Sequence, residues 1–169
     1  MNRSETTKGT LPAGKYWIGD LCYVMHALWN DVCSAIFAGK SLHGGCNEGL
    51  INVKETVLWQ HSTYDGDGWY AVHNNTLKSA HTPKNGFDVD SGLIGIVPAE
   101  LLAKYANKLD QPELGMSVTF VAPVECTYED GTYTFVCVTQ EGREEFVVCS
   151  KPLPDLEMDE DQEGGEDHV

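Results

Sequence analysis

The sequence is short of cations. Eleven Lys and Arg stand against 26 Asp and Glu, a formal net charge of -15. A chain of that charge is not drawn to a nucleic-acid backbone by its overall field, so direct nucleic-acid binding is not expected. Long apolar runs are absent: nothing approaches the roughly 20 residues that span a bilayer. The opening "MNRSETTKGTLPAGK" has no apolar core of a secretory signal, and the expected location is the cytoplasm, in a host cell if the chain is phage-encoded. The six cysteines show no C-x2-C or C-x4-C spacing, which removes a zinc knuckle, and in a reducing compartment they are thiols. A G-x-S-x-G elbow, a P-loop and a G-x-G-x-x-G turn after a strand are all missing.

What is present is 169 residues with 41% hydrophobic content, enough for one domain with a sizeable core. Residues 1–12 are polar and expected to fray. "GKYWIGDLCYVM" reads as an extended segment broken near Gly19-Asp20. Met25, Leu28, Trp29, Val32, Ile36 and Phe37 then recur at helical steps and predict an amphipathic helix over about 26–38, stopped at Gly39. "LINVKETVLWQHSTY" reads as strand and "GWYAVHN" as its antiparallel partner. "SGLIGIVP" is an apolar strand, and "PAELLAKYANKL" a second helix. "MSVTFVAPVECTYE", "TYTFVCVTQ" and "EEFVVCSK" form a meander, joined by turns at "EDG" and "EGR" and bulged or edged by Pro123. The predicted fold is α+β: one strongly bent antiparallel sheet with two packed helices, spanning 13–151. Residues 152–169, an acidic run without a Lys or Arg, form a disordered tail.

Candidate chemistry gathers in three places. "DGDGWY" (65–70) fails as a calcium loop at positions 5, 6 and 12, and reads as a turn between two strands. Asp67 at its tip could still serve a site, and Trp69 or Tyr70 could stack on a base. His61 and His73 flank that turn at similar distances, so as cross-strand neighbours they could share a metal or a phosphate. The excursion from His73 to Asp90 carries His73, Lys78, His81 and Lys84 among Asn, Ser and Thr donors, an island of cations suited to an anion. Asp88 and Asp90 would face one side of an extended segment, as an acid–base pair or as acceptors at a turn.

With "YWIGDLCYVM", "DGDGWY" and "DVDSGLIGIVP" in view, the chain resembles a family of small, mostly uncharacterised phage and bacterial proteins. Its members carry ordered "Y-x-IGDPCYV", "DG-x-G-x-Y" and "D-SG-x-IG-x-VP" segments. The resemblance covers roughly residues 14–100, and Leu21 stands where it would place proline. It implies a compact β-rich fold, a phage origin, and Asp20, Asp67, Asp90 and Gly92 as the polar positions of interest; it supplies no activity.

Three functions follow as expectations. The first is a phage-like accessory protein, not an enzyme, that sequesters a small nucleotide-like anion or blocks a host defence protein. Its ligand residues would be Asp67, Trp69, Tyr70, His73, Lys78, His81, Lys84 and Asp90, without a cofactor. The second is an acidic decoy of nucleic acid that inhibits a basic host protein. The third is a phosphodiesterase holding a divalent metal on Asp20, Asp67 and Asp90. Assembly into a homo-oligomer is left open.

Overall fold

The computed structural model describes residues 6–39, 46–73 and 85–149. Among them the fold is mostly antiparallel sheet with a few short helices. Eleven strands and three short α-helices follow the order β1 (Thr7–Leu11), β2 (Gly14–Asp20), α1 (Leu21–Val24), α2 (Trp29–Ile36), β3 (Gly49–Val53), β4 (Thr56–Ser62), β5 (Gly68–His73), β6 (Gly86–Val89), β7 (Leu93–Pro98), α3 (Ala99–Tyr105), β8 (Met116–Phe120), β9 (Val124–Glu129), β10 (Thr132–Thr139) and β11 (Gly142–Cys149).

The strands form two sheets where one bent sheet was expected. The first has the order β1-β9-β10-β11-β5-β6 and the second β3-β4-β7-β2-β8. Alternation along the strands explains the layering. In β2, Tyr16 and Ile18 enter the core between the sheets, while Trp17 points the other way. In β4, Trp59 faces the inner core and Leu58 the outer one. The first sheet closes the inner core with Tyr133, Phe135 and Phe146. The second sheet is therefore buried on both faces. Its outer face holds Trp17, Leu58 and Val97 against Leu21, Val32, Ile36 and Leu101 of the helices.

Several expectations change. β1 lies within the segment expected to fray: Thr7–Leu11 pairs with β9 and Leu11 is buried, so the described fold begins before residue 13. The strand predicted from "LINVKETVLWQHSTY" is a hairpin, β3 and β4, turned by Lys54 and Glu55 at φ 53° and 65°. The extended segment stops at Asp20, and Leu21–Val24 is helical because the Asp20 side chain caps it. The helix expected over 26–38 starts as a 3₁₀ turn at His26–Leu28 and is α-helical only from Trp29 to Ile36. The second helix ends at Tyr105, where Asn107 and Asp110 side chains take up backbone N–H groups of the following strap. The acidic tail, 152–169, lies outside the described residues.

The largest change concerns "DGDG". β4 belongs to the second sheet and β5 to the first, so Thr63–Asp67 is a corner between sheets and not a hairpin turn. β5 pairs with β6 and β11 instead. His61 stands opposite Ile94 and His73 opposite Val147, so the two histidines are not cross-strand neighbours. The chain changes sheets again between β6 and β7 and between β8 and β9, the last at Val121–Pro123.

Candidate functional site

The corners meet at one end of the second sheet. Asp20 ends β2 opposite Ile94 of β7, and His61 of β4 lies on the other side of the same residue. The amide of Thr63 donates to the Gly92 carbonyl (2.8 Å), tying the β4–β5 corner to the β6–β7 corner. Within the first corner, the Thr63 hydroxyl (2.9 Å) and the Tyr70 hydroxyl (2.8 Å) both donate to the Gly66 carbonyl. Gly66 has φ 78° and Gly92 φ 75°, backbone that side chains rarely adopt. The three segments singled out from the sequence thus converge.

Asp20 is the knot of this end. It is fully buried. Its Oδ1 accepts from the Cys22 amide (2.9 Å) and the Ser91 hydroxyl (2.5 Å). Its Oδ2 accepts from the amides of Asp90 (2.5 Å) and Ser91 (2.8 Å). One carboxylate therefore caps α1 and pins the β6–β7 corner. Both oxygens are occupied by donors, the arrangement of a structural carboxylate and not of a metal ligand. Among the described residues no group of three or more His, Cys, Asp or Glu is placed to hold a metal ion.

Asp90 joins the same cluster through its side chain, with Oδ2 accepting from the Tyr23 hydroxyl at 2.8 Å. Burial, and then donation to that carboxylate, push the Tyr23 hydroxyl upward in pKa. Cys22 is pushed up to about 12, first by burial and then by the Asp20 carboxylate. Neither group is poised to lose its proton near neutrality, which removes Cys22 as a ready thiolate nucleophile.

Beside the knot a cleft of about 490 Å³ opens. Cys22, Tyr23, His26 and Trp29 line one side, Leu109 and Gln111 the other. The strap carrying Leu109 is held by Gln111 N–H donating to the Tyr23 carbonyl (2.7 Å) and by Asp110 accepting from the Ala27 amide (3.1 Å).

A second cluster sits one strand away. The buried His61 ring stacks on Tyr128, with centroids 3.7 Å apart and planes 13° from parallel. Its Nδ1 faces the Ser62 carbonyl at 2.7 Å and its Nε2 the Glu48 carboxylate at 3.2 Å. Both partners are hydrogen-bond acceptors, one facing each ring nitrogen. The Ser62 hydroxyl donates to the other Glu48 oxygen, and the Tyr133 hydroxyl to the His61 carbonyl (2.9 Å).

The remaining sequence candidates scatter. Asp67 is exposed on the corner. Trp69 is 49% exposed and stands opposite Asp88 on β6. Tyr70 is in the inner core with its hydroxyl engaged, which leaves it no face for a ligand. His73 lies at the far end of β5; burial lowers its pKa, and its Nε2 is buried without a hydrogen-bond partner among the described residues. Asp88 sits within β6 while Asp90 lies past its end, held by Tyr23, so they do not form an acid–base pair. Lys78, His81 and Lys84 lie outside the described residues. Glu48, Ser62, Tyr128 and Tyr23 went unnoticed in the sequence. Tyr23 and Ser91 lie inside the quoted segments; Glu48 follows a glycine-rich stretch and carries no signal of its own.

No protein-family model, curated protein or solved structure matches this chain, so the resemblance rests on its three segments alone. No helix among the described residues is long and apolar enough to cross a membrane.

Proposed function

We propose that the chain works by binding and not by turnover, as a phage-type accessory protein that covers a basic surface of a host protein. The observation that carries this reading is the end of the sandwich just described. Asp65, Asp67 and Asp90 are exposed there on two joined corners. The exposed Asp130 adds to them: the β9–β10 turn it occupies packs on Tyr64 of the first corner through Gly131. Clustered carboxylates on rigid corners attract a cationic surface and speed its approach. The metal-dependent phosphodiesterase is disfavoured by the occupied lone pairs of Asp20.

The test is titration calorimetry of the full chain with a nona-lysine peptide at low and moderate salt. Replacing Asp65, Asp67 and Asp130 together by Asn is expected to weaken binding by about tenfold or more, as removal of rim charges that act jointly does. Deleting 153–169 is expected to leave most of it. The opposite pattern, with binding lost on tail deletion and unchanged in the triple variant, assigns the attraction to the tail and overturns the reading.

One observation favours a second reading, sequestration of a small nucleotide-like anion: Trp69 offers an exposed ring on the strand that leads into the cation-bearing excursion. Quenching of its fluorescence by a nucleotide, lost in Trp69→Ala and in Lys78→Ala/Lys84→Ala, supports that alternative.

A further inference from the structure

We propose that the cleft between Tyr23 and Leu109 is an arginine-specific pocket, which takes a guanidinium side chain of the basic partner. This deepens the binding reading above and rests on it.

The walls suit a flat cation. Tyr23 and Trp29 line the cleft with His26, and Leu109, 60% exposed, stands across from them on the strap. An isolated Leu exposed on a surface is ordinary, but here it rims a recess with two aromatic rings. Guanidinium stacks on aromatic faces and sheds water more readily than ammonium, so rings with an aliphatic lid favour Arg over Lys.

The charges around the recess have the matching sign. Asp90 sits at the hydroxyl end of the Tyr23 ring, 2.8 Å from it. Asp110 lies between the two lining residues of the strap, Leu109 and Gln111, and its oxygens accept from Ala27 and Asn107 amides while keeping free lone pairs. Gln111, an uncharged residue, lines the same wall. Lys108 is the cation this strap presents, and it is exposed. The cleft is also supported and not improvised. The strap is fastened to the Tyr23 backbone by the Gln111 amide, and the ring is fastened to Asp90, which the Asp20 knot holds in turn.

The experiment compares nona-arginine with nona-lysine, peptides of equal charge, titrated into the full chain and into Tyr23→Leu and Leu109→Ser. The native chain is expected to prefer nona-arginine by about tenfold, the size of one desolvated cation–π contact. Tyr23→Leu, which removes the stacking ring, is expected to abolish that preference. Leu109→Ser, at an exposed position that does not threaten folding, is expected to reduce the preference in the same direction. The Trp29 indole resonance, assigned with Trp29→Phe, is expected to shift with nona-arginine and not with nona-lysine. If both peptides bind equally to every variant, the pocket is overturned and the acidic end stands. If neither binds, the underlying reading falls and the pocket with it.

Discussion

Asp20 provides the sharpest test of how the structure assigns roles, because one of the three sequence readings makes it a metal ligand and the geometry makes it a fastener. Consider Asp20→Asn, which keeps the shape. The retained oxygen can occupy the Oδ2 position and go on accepting from the Asp90 and Ser91 amides. The new NH2 group then meets the Cys22 amide, a donor against a donor, and the Ser91 hydroxyl, which can rotate to accept. One buried N–H loses its partner, and the bonds at the retained oxygen lose the assistance of a charge. An orphaned buried donor costs about 1–3 kcal/mol, and a charged acceptor is worth roughly twice a neutral one. The expected loss is about 2–3 kcal/mol. Asp20→Ala orphans the amides of Cys22, Asp90 and Ser91 together and removes a helix cap, for a loss of about 4 kcal/mol. Urea unfolding followed by circular dichroism reads both. With a slope of about 2 kcal/mol/M, the Asn variant shifts the midpoint down by about 1–1.5 M at unchanged slope. The pair Asp20→Asn and Ser91→Ala is expected to show a coupling of about 1 kcal/mol in a double-mutant cycle. An Asn variant within about 0.5 kcal/mol of the native chain refutes the reasoning and returns Asp20 to the list of residues held for chemistry.

Three further outcomes follow from named features. Lys54 and Glu55 hold left-handed backbone without being glycine or asparagine, and their exposed contacts are weak, so Lys54→Asn with Glu55→Gly is expected to stabilise by about 1 kcal/mol in the same urea assay. A Cβ at Gly86 would lie 2.3 Å from the Tyr70 carbonyl oxygen, which is backbone and cannot swing away, so Gly86→Ala is expected to cost about 3 kcal/mol and lower the thermal midpoint by several degrees. The Cys22 thiol and the Tyr16 hydroxyl are each raised to about 12 by burial first, from 9.0 and 10.0. The folded chain therefore keeps protons that the unfolded chain releases: their contribution is whole below about pH 9 and is lost progressively as pH climbs towards 12. Thermal unfolding from pH 8 to 11 should show that decline, and iodoacetamide at pH 8 should label Cys22 slowly in the native chain and quickly in urea. A flat profile or rapid native labelling contradicts the placement of the thiol.

Strand content was legible where alternation and a glycine turn agreed. β9, β10 and β11 and their links at Asp130-Gly131 and Gln140-Glu141 follow directly from "TYTFVCVT", "EDG" and "EGR". The β3–β4 turn was illegible because Lys54 and Glu55 adopt φ above zero without a residue that signals it. The division into two sheets was illegible for a deeper reason. A corner and a hairpin both need Gly and Asp, and the difference between them lies in which distant strand accepts the next run. "GWYAVH" pairs with β11 about 75 residues later, and nothing local to "DGDG" encodes that. β1 was hidden in the same way, since its Thr, Lys and Gly gain strand character only against β9.

The candidate site shows why a polar position in a motif is poor evidence of chemistry until burial is known. Each of the three segments has a geometric duty at the same end of the sandwich. Asp20 caps α1 and clamps a corner, and Gly66 and Gly92 supply the turns that let the chain change sheets beside it. A chain with this crossing pattern requires such residues whatever it binds. The resemblance built on them therefore bears on fold more than on ligand, and function has to be sought in side chains the fold does not consume. Asp90 serves both purposes, its backbone amide on Asp20 and its carboxylate on Tyr23. Tyr23 holds Asp90 through its hydroxyl, yet with His26 and Leu109 it also lines an open recess that this duty does not require. That contrast makes the cleft the place where the next substitution is most informative: a change at Asp20 reports on stability, and a change at Leu109 reports on recognition.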